Sequence, residues 1–256
     1  MRNAPIPSEV RQGNLRRTMF SESAEYYDLI YRSKDYRGEV EKLRNLFAKY
    51  VPEARSILDV ACGTAEHLRF LSDYQTVGLD IDSAFIQLAK NKLPRSDFHI
   101  ADMSQFQLGM KFDVILCLFS SIGYLLDDES IKSALSCFKS HLEPSGAIFI
   151  EPWIEPDAWL SRPADMISAE DGERKVCRVI RNQRDGDRSF IDAHYLLVNG
   201  TEVEYATERH ELTFAHGMGC TSMSSRLGTR TAATRPGTRR SRGNIRSAYF
   251  CCGPEP

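Results

Sequence analysis

No run of 18 apolar residues occurs in the 256-residue chain, so nothing in it reads as a membrane-spanning helix. The opening MRNAPIPSEVRQGNLRRTMF carries positive charge but lacks the apolar stretch of a secretory leader, and a cytoplasmic protein is expected. No CxxC pair occurs among the seven cysteines, at 62, 117, 137, 177, 220, 251 and 252, which removes the usual zinc-ligand spacing. No metal is expected, and four of the seven stand in apolar or amphipathic segments that suit reduced, buried thiols. Acidic residues are missing altogether from 217–247. The first strand-turn-helix pattern, SILDVACGTAEHL at 56–68, holds a single glycine, Gly63, where a dinucleotide loop needs three.

What is present is a regular alternation. YRGEVEKLRNLFAKY, 36–50, places Val40, Leu43, Leu46, Phe47 and Tyr50 at helical spacing, and Pro52 ends it. Strands are expected at 56–62, 76–81, 98–103, 112–119 and 146–153, separated by helical segments at 64–74, 83–93 and 127–142. This order predicts an α/β fold, a Rossmann-like, doubly wound, mostly parallel sheet with right-handed crossovers. After Trp153 the pattern becomes strand alternation broken by RDGDR and NGTE, which predicts a small antiparallel β insertion covering the sheet's ligand end.

The net charge of −2 hides an asymmetry. Residues 217–256 hold seven arginines and one acid, Glu255, so they carry +6 and the rest of the chain −8. Gly, Ser, Thr and Arg fill 22 of the 31 positions from 217 to 247, too polar a composition to bury a core. The segment reads as a disordered, frame-shifted tail rather than a nucleic-acid arm. The expected division is a flexible tail at 1–18, a cofactor-binding unit with a helical lid at 19–153, a substrate cover at 154–216 and this tail at 217–256. The last sheet hairpin is expected to be missing, leaving the fifth strand's edge bare.

The charges at the first turn choose between ligands. In a dinucleotide loop Ala61, Gly63 and Glu66 would stand at the three glycine positions, with Asp59 at the strand end. Two carboxylates facing a pyrophosphate are electrostatically unfavourable, whereas a cationic ligand reverses the sign. If Ala65 must be left-handed its methyl costs on the order of 1–2 kcal/mol; the expectation is a helical Ala65.

LDVACGT, GLDI and ADM resemble the first three motifs of class I S-adenosylmethionine (SAM) methyltransferases, with Asp59, Asp80 and Asp102 at successive strand ends. YYDLIY with KDY, FSSIG and EPW sharpen the likeness to dTDP-aminosugar N,N-dimethyltransferases over roughly residues 20–214. The resemblance implies SAM as cofactor, Asp80 on the ribose hydroxyls with Ile81 beside it, and Asp102 on the adenine amine with Met103 packed on the ring. Asp59, Ala61, Gly63 and Phe119 complete that cofactor set. A lid helix would bring Tyr36 to the cofactor and Tyr27 to the acceptor, and His67 could touch the cofactor. Trp153 and His194 would wall a nucleotide-sugar or related amine. A homodimer stays open, and neither membrane nor nucleic acid is expected as a partner.

Two departures matter. The family ordinarily reads SSIGH where this chain has Tyr124, and nothing after Phe214 resembles its closing hairpin. Tyr124 becomes the candidate proton acceptor, less able than histidine. The alternatives are a small-molecule O- or N-methyltransferase with another acceptor, or a catalytically silent SAM-binding paralogue.

Overall fold

The computed structural model describes residues 23–214, 231–233 and 250–252. The expectation of a flexible tail at 1–18 lies outside these residues, as does that of a disordered 217–256 apart from two short strands.

Strands β1 (Ser56–Val60), β2 (Gln75–Asp80), β3 (Asp97–Ile100), β4 (Phe112–Cys117) and β5 (Leu142–Ile150) form the parallel sheet predicted, in the order β5-β4-β1-β2-β3. Chain order reverses between β1 and β4, which remain paired, so the connections after them diverge and their carboxyl ends are where an open α/β sheet has its ligand crevice. Alternate strand residues feed two cores. Leu58, Val60, Ile115 and Ile148 pack with Ile131, Ala134, Leu135 and Phe138 of helix α4 (Asp128–Ser140). On the other face Ile57, Val114, Leu116 and Phe149 meet Val40, Leu43 and Phe47 of α2 (Tyr36–Tyr50) and Ile86 and Ala89 of α3 (Ser83–Lys92). Each large apolar side chain buried this way contributes roughly 1.5–3 kcal/mol. Asp35, Asp82 and Asp127 cap the three helices by accepting from backbone amides.

The bare edge expected at β5 is not found. β11 (Phe250–Cys252) pairs antiparallel with Ile148–Ile150, and β10 (Thr231–Ala233) pairs with β11. A three-residue apolar stretch after the polar segment is enough to satisfy an exposed ladder, and the composition of the segment as a whole concealed it.

The predicted meander is a second sheet, β6 (Asp165–Asp171), β7 (Arg174–Asp185), β8 (Arg188–Asn199) and β9 (Glu202–Thr213), paired in that order. Its first strand is unanticipated, although Asp171-Gly172 is a third hairpin turn of the kind that marks the other two. Val176, Ala193, Tyr195, Leu197 and Ala206 point inward against Tyr26, Leu29 and Ile30, the last two in the short helix α1 (Tyr27–Ile30).

A four-residue helix cannot hold itself together. It is clamped from both sides. Tyr26 Oη donates to the Val198 carbonyl at 3.1 Å and Ser23 bonds Glu208, while Asp28 accepts from Thr64 of the first-strand loop and pairs with Lys92 at 2.7 Å. Asp28→Ala is expected to speed amide exchange across residues 27–36 while lowering global stability by no more than about 1 kcal/mol, because the ion pair is part-exposed. Hydrogen-exchange mass spectrometry with a urea melt reads both.

Candidate functional site

The crevice at the ends of β1, β2 and β4 gathers most of the residues singled out from the sequence. β1 runs into a loop whose Ala61, Gly63 and Ala65 are all left-handed, at φ 58°, 54° and 63°. The expected helical Ala65 is therefore corrected. The helix expected at 64–74 is also absent: a 3-10 turn at Leu68–Phe70 stands there, extended by i→i+3 bonds from Leu71 to Leu68 and from Tyr74 to Leu71. That tighter winding stacks Leu68 and Leu71 on one side, both buried in the core. The cradle is thus a loop with reversed handedness, not a helix N-terminus.

Asp80, at the tip of β2, holds this loop. One carboxylate oxygen accepts from Gly63 N and the other from Asp82 N, both at 2.9 Å. Asp59 lies beside it, 2% exposed, and among the described residues no donor reaches its carboxylate. Burial, reinforced by the charge of Asp80, pushes the Asp59 carboxyl up to about 8. A buried acid without a donor, next to a second acid, fits a cationic ligand and disfavours an anion.

Glu66 does not take part as read from the sequence. It pairs with Lys92 and with Arg69 at 2.8 Å, so its charge is already met. The sign argument rests on Asp59 and Asp80 alone.

Asp102 lies two residues beyond β3, with one carboxylate oxygen accepting from Ser104 N at 2.8 Å and Ser104 Oγ at 2.7 Å. Met103 packs on the core beside it, and Ile81 stands 57% exposed at the rim. Phe119 follows β4 in a left-handed conformation at φ 51°, and its amide donates to the buried Glu151 at 2.8 Å. Ser120, left-handed at φ 62°, donates from its hydroxyl to the Pro152 carbonyl. The FSSIG and EPW stretches are thus stitched together, a role for Glu151 not anticipated from sequence.

The lid arrives from α1 and α2. Tyr36 is buried edge-on against His67, whose Nε2 lies 2.9 Å from Glu39. His67 is therefore engaged with the lid. Burial pushes the Glu39 carboxyl up, but hydrogen bonds from His67 and Lys34 outweigh it and hold the group below its usual range. Tyr27 packs between Tyr31 and Phe85, and Tyr31 meets Phe119 edge-on at 5.2 Å. Burial raises the hydroxyls of Tyr27, Tyr36 and Tyr124 above the ordinary phenol range.

On the acceptor side, Tyr124 ends the turn Ser121–Tyr124, its Oη 3.2 Å from Nδ1 of His210 on β9. The turn and β9 meet at Gly123, where a Cβ would stand 3.3 Å from Leu212 and from Trp153. The Trp153 indole N–H is buried and has no hydrogen-bond partner among the described residues. His194 is not in this group. It stands exposed on the outer face of β8, bonded to Tyr205 at 2.7 Å, because strand side chains alternate and its neighbour Tyr195 takes the inner position. The expectation was one residue out of phase.

Residues 57–146 match a family profile described as a methyltransferase domain. The chain is 38% identical over 202 residues to the dTDP-3-amino-3,4,6-trideoxy-alpha-D-glucopyranose N,N-dimethyltransferase of Streptomyces venezuelae, covering 75% of this chain and 84% of that protein. It is 36% identical over 197 residues to the dTDP-3-amino-3,6-dideoxy-alpha-D-glucopyranose N,N-dimethyltransferase of Streptomyces fradiae, covering 75% of this chain and 77% of that one. Among solved structures it is similar to the sugar N-methyltransferase KedS8 from Streptoalloteichus, with a TM-score of 0.81, 30% identity and full coverage of both chains.

Two measurements bear on this loop. In the ligand-free fold Asp59 keeps its proton up to about pH 8, whereas an unfolded Asp loses it near about 3.9. The native state thus binds more protons between those limits, and stability falls as pH rises through them. Asp59→Asn should flatten that fall. A cation at Asp59 should expel the proton, so SAM binding at pH 7 is expected to release close to one proton per site, read by calorimetry in buffers of different ionisation enthalpy. Separately, Ala61→Gly should stabilise the fold by about 0.5–1 kcal/mol in urea melts by relieving left-handed strain. Ala65→Gly should be near neutral, since it also strips a methyl from the core.

Proposed function

We propose, for a chain that belongs to the SAM-dependent methyltransferases and within them to the family of dTDP-aminosugar N,N-dimethyltransferases, that it methylates the amino group of a nucleotide-linked aminodeoxy sugar. The chain is an enzyme of this class by its relatives and its fold. The observation that carries the site is Asp59, a buried acid near the end of β1 with no donor among the described residues, which suits a cation.

In this reading residues 19–153 hold the cofactor and 154–216 cover the acceptor. When bound, SAM supplies an activated methyl group on a positively charged sulfur. Asp59 and the left-handed loop at Ala61 and Gly63 would hold its cationic end. Each Asp80 oxygen, already accepting one amide, keeps a lone pair for a ribose hydroxyl. Asp102 has one carboxylate oxygen left for an amino donor, with Met103, Ile81 and Phe119 as apolar surface around it. Tyr36 closes the lid side.

The acceptor would enter from the antiparallel sheet, between Tyr27, Trp153 and Tyr124. The unpaired Trp153 N–H is a donor suited to an oxygen-rich sugar nucleotide. These side chains position the amine and exclude water; methyl transfer needs alignment and an unprotonated nucleophile more than a strong catalyst. A free aliphatic amine is mostly protonated at neutral pH, given a Lys-like value of about 10.4. In this reading Tyr124 receives that proton.

Incubation with SAM and dTDP-linked aminosugars should yield products heavier by one or two methyl groups in mass spectrometry. Tyr124→Phe is expected to lower turnover while leaving calorimetric SAM affinity intact. A chain that binds SAM yet methylates no dTDP-aminosugar would overturn the acceptor assignment.

A further inference from the structure

Tyr124 does not stand alone. Its hydroxyl lies 3.2 Å from Nδ1 of His210, a residue 5% exposed near the end of β9. The Nε2 of the same ring faces Glu208 at 3.6 Å, too long for a hydrogen bond but close enough for a strong field. Glu208, 9% exposed, accepts from Ser23 N at 3.1 Å, Ser23 Oγ at 3.0 Å and Tyr195 Oη at 2.9 Å. Three donors from the lid strap and β8 thus fix the carboxylate.

This arrangement gives the hydrogen bond a direction. A lone pair on Nε2 would point at a carboxylate, so the ring proton belongs there and Nδ1 is the acceptor. Tyr124 therefore donates to His210 in this bond, and a hydroxyl that donates can accept as well. Burial raises the Tyr124 hydroxyl, so the residue stays a neutral phenol, which can accept a proton only as it passes its own on.

We propose that His210, oriented by Glu208, is the proton sink for the acceptor amine, reached through the Tyr124 hydroxyl. The inference rests on the aminosugar N-methyltransferase reading above. In the step, an N–H bond of the substrate ammonium breaks as an O–H bond forms on Tyr124, and the phenol's original proton moves to Nδ1. The amine keeps the electron pair, the ring becomes imidazolium beside Glu208, and the proton later leaves to water. Nothing is oxidised or reduced. The imidazole that the family ordinarily carries at the position of Tyr124 is thereby supplied from β9, 86 residues further on. Ionisable groups acting on the Tyr124 hydroxyl include Tyr27 and Tyr31 from the strap, Tyr195 from β8, Glu208 from β9 and Asp80 from β2. Arg178 on β7 reaches Tyr31 at 3.0 Å.

The test uses the full chain, SAM and dTDP-3-amino-3,4,6-trideoxy-α-D-glucopyranose. His210→Gln should lower kcat by about 100-fold or more with KM within about threefold, the range of a lost acid–base partner. Its remaining rate should climb with pH as free amine accumulates. Long-range ¹H–¹⁵N NMR of the folded wild type, without substrate, should show His210 Nδ1 unprotonated and perturbed by Tyr124→Phe. That reading does not depend on the variants folding. Unchanged kcat in folded His210→Gln, or a proton on Nδ1 in the free enzyme, would sink the relay while leaving the methyltransferase reading intact. A wild-type chain that methylates no amine overturns both.

Discussion

Asp59 near the end of β1 and Asp80 at the end of the neighbouring parallel strand β2 are almost wholly out of water and close enough that each charge raises the cost of the other. The fold resolves the conflict unequally. Asp80 takes two backbone amides and becomes a fixed part of the loop, whereas Asp59 receives no donor among the described residues and keeps its proton. One acid is structural, and in the proposed reading the other takes a cation. The left-handed alanines follow from this, because only a reversed turn brings the Gly63 amide back over β2. The strain of those turns is offset by the buried ladder beneath them.

The lid and the antiparallel sheet form a second unit of interaction, centred on Glu208. That carboxylate gathers Ser23 from the strap before α1, Tyr195 from β8 and the edge of His210, and so ties the lid to the sheet. Asp28 ties the same lid to the cofactor loop through Thr64 and Lys92. Tyr31 bridges onward, meeting Phe119 at the end of β4 and Arg178 on β7. A short helix thus joins the loop after β1 to the antiparallel sheet.

The parallel sheet was legible because its strands are continuous apolar runs separated by helices of matching period, as at Phe112–Cys117 and Tyr36–Tyr50. Asp59, Asp80 and Asp102 were legible as acids at or near strand ends, although Asp59 is one residue short of the end of β1 and Asp102 two residues past β3. Other features resisted. Ala65 reads as a helix former, yet its backbone is dictated by the amides of the loop around it. Glu66 reads as a free charge, and only the packing of α3 reveals Lys92 against it. His194 and Tyr195 are adjacent, and alternation alone does not say which of them faces inward. The strand at Phe250–Cys252 is too short to carry a periodic signal; it exists because β5 offered an unpaired edge.

By itself the sequence determined the alternation of strands and helices and the acids at or near the strand ends. These are local consequences of spacing and charge. Which side chains meet across the crevice was decided only by the tertiary structure. Tyr124 and His210 are brought to 3.2 Å because Gly123 lets the turn after β4 press against β9, and Glu208 completes the line because it lies two residues earlier on the same strand face. Strand periodicity orients a side chain toward one face of a sheet, but the packing of sheet against sheet chooses its partner.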